Sequence, residues 1–157
     1  MAWSASKIFR AYLADVLDNT TALDLGSDAF KAALYNNTGT PDENVTSANS
    51  AYNVGQWVTA NEVSQAVQWP AGGVALGSPV LNSGTSDVVF FDANDTASGS
   101  AATLANIFGT LIYDTTVSTP VASQGICFNY YGGVNSVTNG TFTSVWNALG
   151  LLRITIT

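Results

Sequence analysis

A chain of 157 residues, 46% apolar and only 10% charged, has enough material for one domain with its own core and is far from the charge-rich profile of disordered chains. Its eleven acidic and four basic residues give a net charge of −7, and Lys7, Arg10, Lys31 and Arg153 are too few and too scattered to hold a nucleic-acid backbone. With no histidine and one cysteine, the chain also lacks the groups that most often serve as bases or nucleophiles near neutral pH, which argues against an enzyme.

The first element is a helix predicted over residues 5–17. Ile8, Tyr12, Leu13, Val16 and Leu17 share one face, Ser6 is placed to cap the start, and Asn19-Thr20-Thr21 ends it. This amphipathic segment carries two of the four basic residues and can pack on its own core or on a neighbouring subunit. From Leu23 onward the pattern is β. Phe30 to Tyr35 reads as a strand, and residues 36–55, rich in Asn, Thr and Ser with Pro41, read as a long surface loop. A loop of that length in a compact domain commonly contacts a partner. Further strands are predicted at Gln56 to Thr59, Ala71 to Leu76, Asp87 to Phe91, Ile107 to Tyr113, Ile126 to Tyr131, Thr141 to Trp146 and Leu151 to Thr155. Asn139-Gly140 favours the left-handed conformations of a tight hairpin. Short strands separated by polar loops predict a mainly β fold. The expected architecture is a single β-sandwich or jelly-roll-like domain over residues 21–157, preceded by a short helical attachment segment over residues 1–20.

Few motifs suggest chemistry. Cys127 lies in an apolar strand-like run and reads as a buried, inert thiol, since no histidine can activate it. Asp92-Ala93-Asn94-Asp95 is the densest group of oxygen ligands, but it lacks the glycine and distal Glu of a calcium loop and reads as a polar turn. Asp42-Glu43 reads as a solvent-facing pair, and nothing singles out two carboxylates for glycoside hydrolysis. Gly72-Gly73 and Gly132-Gly133 lack the lysine and the strand–helix setting of a phosphate loop. Trp3, Trp57, Trp69 and Trp146, with Tyr52, Tyr130 and Tyr131, suggest either a carbohydrate platform or, more simply, core and subunit packing. No stretch approaches the roughly 20 apolar residues of a membrane span, and the opening residues lack the pattern of a secretory signal. No cofactor or metal site is expected.

An ordered series of short motifs resembles a family of small tailed-phage virion proteins. It begins at Ala22-Leu23-Asp24-Leu25-Gly26-Ser27-Asp28-Ala29-Phe30-Lys31-Ala32-Ala33-Leu34-Tyr35, which is similar to a family opening in which an "LDLDTD" turn precedes an "IKVAL" strand. It continues through Ala60-Asn61-Glu62-Val63, Ala71-Gly72-Gly73-Val74-Ala75-Leu76, Val88-Val89-Phe90-Phe91-Asp92-Ala93-Asn94-Asp95 and Leu111-Ile112-Tyr113-Asp114. It closes with Gly140-Thr141-Phe142-Thr143-Ser144-Val145-Trp146-Asn147-Ala148-Leu149-Gly150-Leu151-Leu152-Arg153-Ile154. Gly26 stands where the family often has Asp, and the Asn/Thr-rich loop after Tyr35 is long.

The resemblance implies a non-enzymatic virion component without cofactors. Its first form is a capsid decoration (cement) protein on the outer surface of the head, bound to the major capsid protein and to itself as a homotrimer. The alternative is a tail-tip, baseplate or fibre domain that stacks its aromatic residues on a host glycan. Neither form involves nucleic acid or a membrane. The N-terminal segment is the expected contact element, with Trp3, Lys7, Ile8, Arg10, Tyr12, Leu13 and Val16 as candidate interface residues. On that expectation, a chain lacking residues 1–17 keeps a folded β-domain and loses assembly.

Overall fold

The computed structural model describes residues 3–83 and 87–157. The elements in chain order are β1 (Lys7–Ile8), α1 (Arg10–Asp18), β2 (Phe30–Tyr35), α2 (Ser47–Ser50), 3-10 turns at Gly55–Trp57 and Thr59–Asn61, β3 (Glu62–Val63), β4 (Val74–Ala75), β5 (Gly77–Asn82) and β6 (Val88–Asn94). They continue with β7 (Thr96–Ala97), β8 (Ala102–Asp114), β9 (Gly125–Gly140), β10 (Thr143–Ser144) and β11 (Leu152–Thr155). The fold is mainly β, as the strand-forming runs predict.

A six-stranded antiparallel sheet is the centre of the domain, in the order β1-β9-β8-β2-β3, with β4 also paired to β2. A smaller sheet has the order β11-β6-β5, and β7 pairs with β10. Long runs of β2, β8 and β9 are buried at consecutive positions, from Ala32 to Tyr35, Gly109 to Asp114 and Gly125 to Phe128. Consecutive burial means that both faces of the central sheet are covered there. Over the outer part of β9, burial falls to alternation, as expected where cover is incomplete.

The two covers differ in kind. On one face lie irregular segments: Trp3, Phe9 and Trp57 all close on Phe128, with ring centroids 6.0, 5.5 and 5.8 Å away. Tyr35 meets Trp57 edge-on at 5.0 Å. On the other face sits the smaller sheet, where Phe91 of β6 meets Phe30 of β2 edge-on at 5.0 Å. Trp69 extends this second cover, donating its indole N–H to Ala32 O at 3.1 Å and meeting Phe142 edge-on.

Several local expectations are revised. The helix begins at Arg10, not at residue 5, because Lys7 and Ile8 pair with Phe128 and Cys127 as a strand. Ser6 caps no helix; its Oγ accepts the Tyr130 N–H at 3.0 Å. The helix does stop at Asn19, which takes a left-handed φ of 57°. Asn139-Gly140 makes no hairpin. Asn139 is left-handed, with φ 49°, inside β9, where the register to β8 slips between Ala102 and Leu104. The same backbone preference that suits a hairpin here supports a bulge. Gln56 to Thr59 spans the junction of two 3-10 turns, with Val58 extended between them, rather than a strand, and of Thr141 to Trp146 only Thr143–Ser144 pairs. The loop over residues 36–55 contains α2 and buries Ser50 and Ala51, so part of it belongs to the core.

Close approach of the first cover demands glycine on the sheet beneath it. A Cβ at Gly109 would lie 2.2 Å from Asn129 O and 2.4 Å from the Trp3 ring. Gly109→Ala is therefore expected to lower unfolding free energy by about 1–3 kcal/mol, since the new methyl would overlap a backbone carbonyl and a buried indole. Urea unfolding monitored by tryptophan fluorescence measures this, and an unchanged midpoint contradicts the packing described.

Candidate interaction surfaces

The seven candidate contact residues divide between core and surface. Trp3 and Tyr12 are buried in the domain's own core, 5% and 2% exposed, and the Trp3 indole N–H donates to Asn36 O at 3.0 Å. Ile8 and Leu13 are half-buried against the same core. Lys7, Arg10 and Val16 remain exposed. The Arg10 guanidinium donates to Asn44 Oδ1 at 2.8 Å, and its backbone N–H donates to Glu43 O at 3.0 Å, which ties the start of α1 to the 36–55 segment. Asp15 adds two more ties, accepting from Ser47 Oγ at 2.6 Å and from Gln124 Nε2 at 2.7 Å. The segment beginning at Trp3 thus covers one face of the central sheet. Phe9, which the sequence reading passed over, is its most buried member at 0% exposure.

This placement reverses the expected effect of truncation. Removing residues 3–18 strips Trp3, Phe9 and Tyr12 from the aromatic layer and exposes Phe128 and Trp57. Each large aromatic lost from a core costs about 3–5 kcal/mol, comparable to the whole stability of a domain. The truncated chain is expected to lose its cooperative thermal transition in circular dichroism. A sharp melt near that of the intact chain contradicts this account.

The tryptophans form no exposed platform. Trp57 and Trp69 are at most 1% exposed and Trp146 is 8% exposed, with its indole N–H donating to Thr96 Oγ1 at 3.2 Å. Tyr52 stacks on Tyr113, with centroids 4.9 Å apart, over the half-buried Glu62. The Glu62 carboxylate accepts from Tyr52 Oη and from the Gly72 N–H, both at 2.8 Å. Burial pushes its pKa upward, against those hydrogen bonds and the nearby Lys31 charge. This cluster pins the Gly72 turn. The residues Asp92 to Asp95 are likewise structural: Asp92 Oδ1 accepts from the Ala93 N–H and Asp95 Oδ1 from the Trp146 N–H, both at 2.9 Å. Among the described residues no group of His, Cys, Asp or Glu is arranged to hold a metal ion. Cys127 is buried, and burial pushes its thiol up to about 12, away from nucleophilic use. No helix among the described residues is long and apolar enough to cross a membrane.

One acidic pair, a buried Asp114 beside a half-buried Asp28, was not distinguishable in the sequence. Asp114 is wholly buried; its Oδ1 accepts from the Thr116 and Val117 N–H groups at 2.6 and 2.9 Å, and its Oδ2 has no hydrogen-bond donor. Asp28 lies beside it. Two neighbouring carboxyl groups have no donor between them unless one holds a proton. Burial, with Asp28 adding to it, raises the Asp114 pKa to about 6 despite the two backbone donors. The nearby Tyr12 hydroxyl is also raised, by burial first and then by Cys127, Asp114, Asp28 and Asp24.

A raised acid pKa means the folded state holds the proton more tightly than the unfolded one. Stability from Asp114 is present at acid pH and falls as pH rises from about 4 to about 6. Asp114→Asn keeps an oxygen for the two backbone donors and supplies an N–H toward Asp28. It is expected to remove this fall and to raise stability at pH 7 by on the order of 1 kcal/mol. Denaturant unfolding of both proteins at several pH values tests this; parallel profiles overturn it.

A surface hollow of about 630 Å³ is open and polar, lined by Asn36, Asn37, Thr38, Glu62, Asn106 and Phe108 among others. The apolar surface lies elsewhere, on the smaller sheet. Phe91, Leu152 and Leu81 share one face through the pairing of β6 with β11 and β5, and Ile154 follows on that face opposite Val89. Phe91 and Leu152 are covered by the central sheet, but Leu81 and Ile154 are 43% and 40% exposed and Ile156 is 64% exposed. Val80, on the opposite face, is 48% exposed. β5 and β11 are both edge strands. Among the described residues, the small sheet therefore ends in an exposed apolar margin along its two terminal strands, the kind of surface that soluble domains usually cover.

Comparison of the chain with protein-family models, with curated proteins and with solved structures returned no match.

Proposed function

We propose that the chain is a bacteriophage virion structural protein, a capsid decoration protein that binds the outer head surface. The observation that carries this reading is the exposed aliphatic margin of the β11-β6-β5 sheet on a domain with very few charges. Such a surface gains free energy by burial against a neighbour, at about 25 cal/mol per Å² of apolar area removed from water. Low charge keeps repulsion between adjacent copies small. A protein that binds only the assembled lattice stabilises that lattice by mass action. The ordered motif series from Ala22 to Ile154 supports the virion assignment. The partners are then the major capsid protein and further copies of this chain as a homotrimer, and the role requires no catalysis and no cofactor.

Burial of all four tryptophans weighs against the glycan-binding alternative, which needs them exposed. The test is copy number. Quantitative mass spectrometry of purified virions is expected to find this chain in hundreds of copies, in fixed ratio to the major capsid protein. A handful of copies per particle moves it to the tail, and absence from particles overturns the reading.

A further inference from the structure

We propose that the groove between β1 and β11 receives the end of α1 from a second copy of this chain. Leu17 of the incoming copy packs over Ile8, Leu151 and Leu152, and its Asp18 carboxylate meets Lys7 and Arg153. The proposal deepens the reading of the chain as a self-assembling coat protein and rests on it only for its biological setting.

The groove encloses about 280 Å³, and Lys7, Ile8, Cys127, Leu151, Leu152 and Arg153 are among the residues lining it. It runs between two terminal strands, β1 at one end of the central sheet and β11 at one end of the smaller sheet. Two of only four basic residues converge here. Lys7 and Arg153 are exposed, and among the described residues neither makes an ion pair. Of the other two, Arg10 donates to Asn44, and Lys31 lies on β2 near enough to Glu62 for its charge to act on that carboxylate. Among the described residues, this strongly acidic chain thus sets two exposed cations against an apolar floor with no carboxylate paired to either.

The complementary feature is the end of α1. Leu17 is 85% exposed, the most exposed large apolar side chain among the described residues. It is followed by the exposed Asp18, whose Oδ1 accepts only the local Thr20 N–H. The last turn of α1 contains Asp15 and Asp18 and no basic residue. A helix C-terminus carries partial negative charge, so carboxylates there are unfavourable and cations are favoured. Folding alone leaves that end with the wrong charge, and two cations from a neighbour correct it. One chain cannot fill its own groove this way. α1 follows β1 after the single residue Phe9, and its rise carries Leu17 about 10 Å along the helix from Arg10. The contact is head-to-tail, so repetition closes a ring where the rotation permits.

Sedimentation velocity of the full-length chain tests the contact directly. The wild type is expected to self-associate, and more weakly at high salt. The pair K7E/R153E, which ruins the groove, and the pair L17R/D18K, which ruins the helix end, are each expected to weaken association by at least about tenfold. All four side chains are exposed, and circular dichroism verifies that both variants fold. Mixed together, they are expected to form a dimer that neither forms alone, because one supplies an intact helix end and the other an intact groove. A monomeric wild type at every concentration, unchanged association in either variant, or a mixture that stays monomeric overturns the proposal. Failure here with abundant copies on virions leaves the coat-protein reading standing; success here with absence from virions refutes that reading alone.

Discussion

Phe128 is the residue on which the rest of the domain closes. It sits near the middle of the central sheet, and Trp3, Phe9 and Trp57 meet its ring from three directions. These rings come from residues far apart in the chain, so the cluster fixes the N-terminal segment and the 36–61 region against β8 and β9 at once. Edge-to-face aromatic contacts add to the area they bury and also set orientation. The glycines on the sheet beneath are part of the same device. Gly125, like Gly109, offers a bare backbone surface; a Cβ there would meet Ser50 O at 2.4 Å and the Phe9 ring at 2.7 Å. Large rings above and absent side chains below produce the close fit.

That arrangement explains which parts of the fold were legible. Phe30–Tyr35 emerged at its predicted bounds because a run of apolar residues between turn signals has few other outcomes. Val88 to Phe91 emerged for the same reason, although the strand runs on to Asn94. The N-terminal segment was harder. Ile8 fits the helical face by spacing, yet sheet pairing with Cys127 outweighs helix propensity at that position. Asn139 announced a left-handed backbone, but not whether that backbone would turn a hairpin or bulge a strand. Trp57 sat in a polar stretch with no periodic pattern around it, and only the distant rings that receive it explain its burial.

The functional surfaces were less legible still, for a physical reason. Aromatic content in a sequence does not say whether rings face inward, and here every Trp, Tyr and Phe is buried or half-buried. The Asp28–Asp114 pair joins residues more than eighty positions apart, and nothing local to either marks it. The two cations that share the β1–β11 groove, Lys7 and Arg153, lie near opposite ends of the sequence. They are brought together because β1 and β11 are both terminal strands and their edges come side by side.

The division of apolar residues between inside and outside bears on the kind of contact this domain can make. Among the described residues, the exposed large apolar side chains are all Val, Leu or Ile, while Trp, Tyr and Phe are buried or half-buried. Tight one-to-one interfaces usually concentrate their energy in a few aromatic or Arg anchors seated in pockets. An aliphatic margin without such anchors offers many small contributions and little orientation of its own. Orientation then has to come from elsewhere, and the sparse charges are suited to it, because a single misplaced carboxylate facing another is unfavourable at an apolar contact. Modest contacts of this kind gain strength when several act together, as copies arrayed on a repeating lattice do. The chain's low charge, inward aromatics and outward aliphatics are therefore one design seen from three sides, and under the proposed coat role they suit repeated shallow contacts better than a single deep site.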